Sequence, residues 1–301
     1  MVLSSAEITP LPVAPSLLGE SPLWHPDEQL LYWCDIPGKR LNRFDPLSGN
    51  ASHWDFDCEP ACVAPLLGGG LLLAMRDGIF AFDTGTGQRE QIAAAPYDTA
   101  TERFNDGKAD AQGRFWVGTI DEQHQPRAAL YCLAGGRLSK MADGITTSNG
   151  LAFSLDGRTL HWADTRAHAV YAFDLDPASG SVSRRRTFAQ FSPRAEGQSL
   201  HNYAGRPDGA TMDSQGHYWV AMFEGQRLLC LDADGQVLQT LPLPVRCPTM
   251  PCFGGSDLRT LYITTSRENR PAAELATQPW AGCVLSLQVA VPGTVANCAV
   301  L

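Results

Sequence analysis

The chain has 301 residues, of which 44% are hydrophobic and 18% are charged. This length is compatible with two domains, but all-β folds of about 250 residues often form a single one. The formal net charge is −9, and the longest run of like charges is the three arginines at 184–186. An acidic chain without a basic face argues against binding to nucleic acid or to an anionic membrane.

The N-terminal residues and the cysteines indicate the compartment. Residues 1–20 contain neither a basic segment nor a long apolar stretch, so we expect no secretory signal and no membrane span. The nine cysteines are an odd number without CxxC pairs, which predicts reduced thiols and a cytoplasmic location rather than a disulfide scaffold. Cys247 and Cys252 could form a metal pair, although such cysteines are more often small buried hydrophobic residues.

Six segments of the chain share one pattern, in which an apolar stretch, a polar turn and a second apolar or aromatic strand follow each other. In chain order they are SPLWHPDEQLLYWCDI, CVAPLLGGGLLLAMRDG, DGKADAQGRFWVGTI, NGLAFSLDGRTLHWADT, DGATMDSQGHYWVAMF and PCFGGSDLRTLYITTS. The second strands centre near Tyr32, Leu72, Trp116, His161, Tyr218 and Leu261, with successive spacings of 40, 44, 45, 57 and 43 residues. Repeats of this length, each with about four short strands, are typical of propeller blades.

Turn residues and further β-rich runs support strands in every repeat. The turns PDEQ, GGG, AQGR, LDGR, SQGH and GSDLR separate the paired strands, as hairpins require. A third strand follows in each repeat: RLNRFDP, GIFAFDT, AALYCLA, AVYAFDLDP, RLLCLDA and GCVLSLQVA. No long helical periodicity and no glycine-rich linker interrupts the chain. We therefore predict an all-β fold, a six-bladed β-propeller formed as one domain by residues 1–301.

The spacing of 57 residues marks an insertion within residues 184–207, RRRTFAQFSPRAEGQSLHNYAGRP. Insertions in propellers map to loops on one face, which is often the binding face. The segment could form a lid over a site or a surface loop.

Polar residues stand just before the apolar run of several innermost strands, and a propeller brings this register together around its central channel. They are Glu20 in LLGESPLW, Asn105 and Asp106 in RFNDGKAD, Asn149 in TTSNGLAFS and Asp208 in RPDGATMD. All are carboxylates or amides, and oxygen ligands suit cations such as Ca²⁺, Mg²⁺ or Mn²⁺. The register predicts a cation site in the channel.

Each position also has a purely structural interpretation. The pairs Asn149-Gly150 and Asp208-Gly209 are ordinary turn formers, and Glu20 could simply end a strand. Recurrence at one register favours a shared site, because burial of such groups in a channel is costly unless they are paired or bind a metal.

Other chemistries have less support. The chain contains no GxSxG elbow and no HExxH or HxH motif. His161 and His217 fall within predicted strands, where we expect structural roles. The glycines at 68–70 are not followed by Lys-Ser/Thr or by a helical pattern, so nucleotide binding is not indicated.

Several long motifs occur in order between about residue 15 and residue 265. They are LGESPLWHPDEQLLYWCDI, RFNDGKADAQGRFWVGT, AALYCLA, SNGLAFSLDGRTLHWADT and RPDGATMDSQGHYWVAMFEGQRLLCLDADGQVLQTLPLPV, followed by PCFGG. On these motifs the chain resembles the SMP-30/gluconolactonase/regucalcin-like family of six-bladed propellers. The family's metal is held by the Glu of ESPLW, the Asn of SNG and the Asp of PDG, so the resemblance implies Glu20, Asn149 and Asp208 as ligands.

The resemblance also implies substrate contacts. Asn105 is expected beside the metal as a ligand or a substrate contact, and Arg103 is expected to hydrogen-bond sugar hydroxyls. After WVGT the family often carries an acidic pair that faces the substrate. This chain has Glu122 followed by Gln123, so Glu122 is the acid expected to face the substrate.

The activity that the resemblance implies is hydrolysis of a sugar lactone. One divalent metal (Ca²⁺, Zn²⁺, Mn²⁺, Mg²⁺ or Fe²⁺) would polarise the lactone carbonyl, and Asp208 is the candidate base for the attacking water. Glu122 or a hydroxide on the metal are alternative bases. The expected partner is a small-molecule aldonolactone, and no obligatory protein partner is evident.

Three other functions are compatible with this fold. They are hydrolysis of a phosphotriester or another ester, calcium-binding regulation without turnover, and protein interaction by a propeller with an empty channel. Converging carboxylates argue against the third, and the polar Arg103 and Asn105 argue against an apolar phosphotriester. Open positions around a three-residue site argue against calcium storage. The sequence does not specify whether the substrate is a hexonolactone or a pentonolactone. It also specifies neither the metal nor the oligomeric state.

Overall fold

Twenty-four short strands make up nearly all the regular structure of residues 8–301, the part of the chain that the computed structural model describes. Strand β1 (Thr9–Pro10) precedes the first blade, which contains β2 (Gly19–His25), β3 (Leu30–Asp35), β4 (Arg40–Phe44) and β5 (Ala51–Asp55). The second blade contains β6 (Pro60–Pro65), β7 (Leu71–Met75), β8 (Gly78–Phe82) and β9 (Arg89–Ala94). The third contains β10 (Glu102–Ala109), β11 (Phe115–Asp121), β12 (Ala128–Ala134) and β13 (Arg137–Ile145).

The remaining blades follow in chain order. The fourth contains β14 (Ser148–Phe153), β15 (Thr159–Asp164), β16 (Ala169–Leu175) and β17 (Val182–Gln190). The fifth contains β18 (Arg206–Met212), β19 (Tyr218–Phe223), β20 (Arg227–Leu231) and β21 (Val237–Pro242). The sixth contains β22 (Pro248–Gly254), β23 (Thr260–Thr265) and β24 (Leu285–Gln288). The predicted six-bladed β-propeller is confirmed, and all six predicted strand centres fall in the second strand of their blade.

The sixth blade is completed by both ends of the chain. β1 pairs antiparallel with β24, with Thr9 opposite Ser286 and Pro10 opposite Leu285. Ile8, just before β1, is 3% exposed and packs into the core of this blade. This pairing closes the ring, because β1 leads directly into the first blade and forms hydrogen bonds in the sixth.

Burial falls from the inner strand of each blade to the outer one. The innermost strands β2 and β6 are buried along their whole length, whereas the outermost strand β5 is almost entirely exposed. Six apolar clusters fill the spaces between the blades, one for each pair of neighbours. The core is therefore a ring of inter-blade layers around a central channel.

Each of two hairpin turns is organised by the aspartate that precedes it. Asp110 accepts hydrogen bonds from the backbone N–H of Gln112 and from Trp116 Nε1. Asp213 does the same with Gln215 and Trp219 Nε1. The predicted turns AQGR and SQGH thus owe their shape to the aspartate before each.

The insertion in the fourth repeat differs from the expectation in its boundaries. Arg184–Arg186 belong to β17, and only residues 191–205 form a loop, which includes a 3₁₀ helix at Leu200–Asn202. The loop is fixed at the rim by Tyr203, whose hydroxyl lies 2.5 Å from His168 Nε2, and by Leu200, whose carbonyl accepts from Arg246. His217 does not lie within a strand, as the sequence predicts, but one residue before β19. Its Nδ1 lies 2.9 Å from Asp213.

The two ends of the channel differ. On the face where the inner strands end, the C-terminal segment crosses the channel, with Gly293 bridged to Asp213 and Ala299 bridged to Leu66. A cavity of about 110 Å³ lies beneath it. The opposite end, where the inner strands begin, is open. Among residues 8–301 no helix is long and apolar enough to cross a membrane; the one α-helix, α1, spans Ala272–Thr277.

Candidate active site

The polar residues at the start of the inner strands lie in β-bulges. The regular pairing of β2 with β3 breaks after Glu20, that of β10 with β11 breaks around Asn105, and that of β14 with β15 breaks after Asn149. The same irregularity in the fifth blade falls at Asp208. A bulge turns a side chain away from the ordinary pleat. These four blades therefore direct one polar side chain each towards the channel.

The glycines that follow these residues allow the bulges to pack. Gly150 has φ of +58°, and a Cβ there would lie 2.3 Å from the hydroxyl of Tyr218, which donates to the Gly150 carbonyl. A Cβ on Gly209 would lie 2.5 Å from Met250. The motifs SNG and PDG thus combine a functional candidate with a steric requirement for glycine.

The bulged residues surround an open cavity of about 420 Å³. This volume is within the range of about 300–1,000 Å³ that small-molecule sites occupy. Its wall carries both signs of charge, from Glu20, Asp208, Glu224, Glu268, Arg103, Arg206 and Arg270. Such a polar wall suits a hydroxylated ligand better than an apolar one.

A chain of hydrogen bonds fixes the amides of the site. Asn105 Nδ2 donates to Asn149 Oδ1 at 2.9 Å and to the carbonyl of Ser148 at 2.7 Å. Asn149 Nδ2 in turn donates to Thr165 Oγ1. Because an amide oxygen has two lone pairs, Asn149 Oδ1 retains one that points to no protein donor in this network. Asn105 has both of its amide atoms in use and therefore positions its neighbours.

Arg103 completes this network from the same strand. Its Nη1 donates to Asn105 Oδ1 at 2.7 Å and to the carbonyl of Phe104 at 2.9 Å. The side chain is only 11% exposed, and burial lowers its pKa from the usual value. A guanidinium has five N–H groups, so donors remain for a ligand in the cavity.

Glu20 and Asp208 are two buried carboxylates that form no ion pair within 4 Å among residues 8–301. They are 9% and 5% exposed. Burial raises the pKa of both well above the ordinary value, and the negative charge of Asp208 raises that of Glu20 further. The nearest arginines pair elsewhere, Arg103 with Glu122 at 3.7 Å and Arg206 with Glu224 at 3.6 Å. Two carboxylates in this situation are costly unless a cation joins them.

The donor set fits a divalent cation. Two carboxylates and one amide oxygen are hard oxygen ligands, which suit cations such as Ca²⁺, Mg²⁺ or Mn²⁺. Glu20, Asn149 and Asp208 come from three different blades and all line the cavity. A cation held by them would compensate the two buried charges and would keep positions open towards the cavity.

Two other sequence candidates occupy different places. Glu122 is not among the residues that line the cavity; its carboxylate lies 2.8 Å from Arg76 Nη2 and 3.7 Å from Arg103 Nε. Asp106, in the same bulge as Asn105, accepts from the backbone N–H of Leu151 instead of lining the cavity. Burial raises the pKa of Asp106 to about 6, and the ammonium of Lys108 opposes that rise.

The cysteines and a second polar cluster lie outside the site. All nine cysteines are free, and Cys252 lies at the opposite end of the channel. Asp213, His217 and Cys230 are close enough to hold a metal ion. Asp213 already accepts hydrogen bonds from Trp219 Nε1 and from two backbone N–H groups. That cluster is explained by the turn it stabilises.

Sequence reasoning missed several residues that line the cavity, namely Thr165, Arg206, Glu224, Glu268 and Arg270. Most lie in the loops that join the second and third strands of the blades, and these loops have no common motif. Arg206 was inside the quoted motif RPDG, but nothing in the spacing distinguished its side chain from a surface arginine.

Comparison with known proteins agrees with this geometry. A family model described as "SMP-30/Gluconolactonase/LRE-like region" matches residues 18–267. A 6-deoxy-6-sulfogluconolactonase from Pseudomonas putida is 45% identical over 93% of this chain and 94% of its own, and a regucalcin from Danio rerio is 36% identical over 90% of each. The crystal structure of a calcium-binding protein, regucalcin, from Agrobacterium tumefaciens superposes with a TM-score of 0.90 at 26% identity, covering 97% of both chains. The chain belongs to the SMP-30/gluconolactonase/LRE-like family.

Proposed function

We propose that the protein hydrolyses a sugar lactone to the corresponding aldonic acid, with one divalent cation held by Glu20, Asn149 and Asp208. The observation that carries this proposal is the pair of buried carboxylates, without an ion pair among residues 8–301, that open onto a polar cavity of about 420 Å³. The Pseudomonas putida relative is named 6-deoxy-6-sulfogluconolactonase, and this name supports lactone hydrolysis as the reaction class.

The protein's own residues have distinct tasks in this reaction. A cation at the three ligands would supply Lewis acidity at the lactone carbonyl. Arg103 offers its remaining N–H donors to the hydroxyl groups of the sugar, and Asn105 holds Arg103 and Asn149 in place. Selectivity then comes from hydrogen bonds to the polyol, which reject analogues that lack the hydroxyl groups.

Asp208 is the base in this proposal. It takes a proton from the attacking water, whose oxygen bonds to the carbonyl carbon, and the bond from that carbon to the ring oxygen breaks. The proton is then passed to the ring oxygen, which becomes the hydroxyl of the open acid. Glu122 is less suited to this task, because two arginines already share its carboxylate.

Two alternatives are disfavoured by the same cavity. A calcium store needs many protein ligands and no substrate space, whereas this site has three candidate ligands beside an open volume. An apolar phosphotriester would place Arg103, Arg206 and Arg270 against apolar groups, which costs free energy.

The test is proton release from metal-stripped protein on gluconolactone and on pentonolactones, with Mg²⁺, Ca²⁺, Mn²⁺, Zn²⁺ or Fe²⁺ added back singly. Glu20→Gln and Asp208→Asn are expected to lose metal-dependent turnover while remaining folded. Glu90→Gln, an exposed residue of the outer strand β9, is the matched control and is expected to retain it. Turnover at only the spontaneous rate with every cation would overturn the proposal.

A further inference from the structure

Arg206 is an arginine of the cavity wall whose Nε–H group has no hydrogen-bond partner among the described residues. It is the first residue of β18, two residues before Asp208. Its Nε is buried and has no hydrogen-bond partner among residues 8–301. Its Nη2 lies 3.6 Å from Glu224, which makes its closer contact, 3.0 Å, with Arg270. A buried guanidinium nitrogen without an acceptor is costly, so an acceptor from outside the protein is expected there.

The position of Arg206 is fixed by an aromatic contact as well as by its ion pair with Glu224. Its guanidinium carbon lies 5.1 Å from the centre of the Phe223 ring, a distance at which the ring face attracts a cation. Phe223 pairs with Arg206 across β18 and β19 and also lines the cavity. The side chain is therefore held at the wall rather than extended into solvent.

The other charged residues of the wall are Glu20, Asp208, Glu224, Glu268, Arg103 and Arg270. Arg270 is paired with Glu224 and Glu274. The field of Arg206 does reach Asp208 and opposes the rise of its pKa, but Asp208 is the residue that the cation would neutralise. Once that cation is bound, three arginines of the wall, Arg103, Arg206 and Arg270, face two glutamates, Glu224 and Glu268, so the net charge of the wall is positive.

We propose that Arg206 binds an anionic group, a sulfonate or a phosphate, carried by the lactone at the end remote from its carbonyl. This inference rests on the proposed lactonase function and names its substrate class. Arg206 lies two residues before Asp208 on β18, and both residues line the same cavity, so one lactone can reach both. The planar guanidinium donates two parallel hydrogen bonds to such an oxyanion.

The first experiment compares kcat/KM for gluconolactone, 6-phosphogluconolactone and 6-deoxy-6-sulfogluconolactone. Arg206→Gln should lower kcat/KM for at least one of the anionic lactones about 10- to 100-fold more than for gluconolactone, mainly through KM, as expected for loss of a charge-assisted hydrogen bond. Arg206→Lys should restore part of the difference. The phosphate and sulfonate arms identify which anion is preferred.

The matched control is Arg137→Gln, which removes the same charge at the far end of the third blade. It should leave all three values unchanged. Equal losses on neutral and anionic lactones in Arg206→Gln, or a wild-type protein that does not prefer an anionic lactone, would overturn the inference.

Calorimetry separates this inference from the lactonase proposal. Binding of the open acids gluconate, 6-phosphogluconate and 6-deoxy-6-sulfogluconate is measured without any turnover. Tighter binding of the phosphorylated or the sulfonated acid than of gluconate, if it depends on Arg206, supports the subsite even if no lactone is hydrolysed. Turnover of gluconolactone, together with open acids that all bind equally to the wild type and to Arg206→Gln, sustains the lactonase and refutes the subsite.

Discussion

Replacement of His161 by phenylalanine should remove much of the acid sensitivity of the fold. His161 lies in β15 between the rings of Phe188 and Tyr218, at centroid distances of 4.5 and 5.2 Å, and its Nδ1 is buried without a partner among residues 8–301. Burial, and then the charge of Arg186, lower the pKa of His161 to about 4. The folded protein therefore keeps this imidazole neutral at pH values where the unfolded chain protonates it.

The sign and size of the effect follow from the two pKa values. In the unfolded chain the pKa is about 6.5, so the unfolded state binds the extra proton between about pH 6.5 and pH 4. The contribution of His161 to stability is complete above about pH 6.5 and is lost as the pH falls towards 4. The full difference is about 3 kcal/mol, of which about 2 kcal/mol is lost between pH 7 and pH 5.

Urea unfolding at pH 7 and pH 5, at a fixed cation concentration, measures this loss. The decrease in unfolding free energy should be about 2 kcal/mol smaller in His161→Phe than in the wild type. His53→Phe, at an exposed histidine of β5, is the matched control and should retain the wild-type decrease. An identical decrease in wild type and His161→Phe would refute the reasoning.

Three further substitutions test the site and the fold. Arg103→Lys should lower kcat/KM on gluconolactone at least tenfold while preserving cation binding, because an ammonium cannot donate to Asn105, Phe104 and a ligand in one plane; wild-type kinetics would exclude Arg103 as a substrate contact. Gly118→Ala should cost about 1–3 kcal/mol or more in thermal unfolding, since its Cβ would lie 1.6 Å from Ser148 Oγ; an unchanged Tm would contradict the close contact of the third and fourth blades. Ile8→Ala should cost about 2–4 kcal/mol, because this buried side chain supports ring closure, and a loss below about 0.5 kcal/mol would argue that closure does not depend on it.

The sequence predicted the strands that are most strongly buried. Second strands such as the ones around Trp116 and Tyr218 are apolar and are flanked by turn residues, so their position follows from the local pattern. The outermost strands are exposed, and β17 carries three consecutive arginines. A strand with a solvated surface has no apolar period, which explains why residues 184–190 of β17 were placed in the insertion.

The candidate ligands were predictable in position but not in geometry. Glu20, Asn149 and Asp208 share a blade register, and that register was visible in the spacing of the repeats. Asp106 shares the same motif, yet its carboxylate binds the backbone of the next blade. Adjacent residues of a bulge face different surroundings. The direction of each side chain therefore depends on how the strand pairs with its neighbour, which the local sequence does not show. Cavity residues such as Thr165, Glu224 and Glu268 depend on how loops from three separate blades meet, which a single sequence does not encode in any motif.

The most direct test of the account is a titration of metal-stripped protein with the activating cation, in which binding and lactone turnover are followed in the same samples. The account predicts that turnover rises in proportion to bound cation, saturates at about one equivalent per chain, and is absent in Asp208→Asn across the whole titration. Turnover that is already complete in metal-free protein, or full activity of Asp208→Asn, would contradict it.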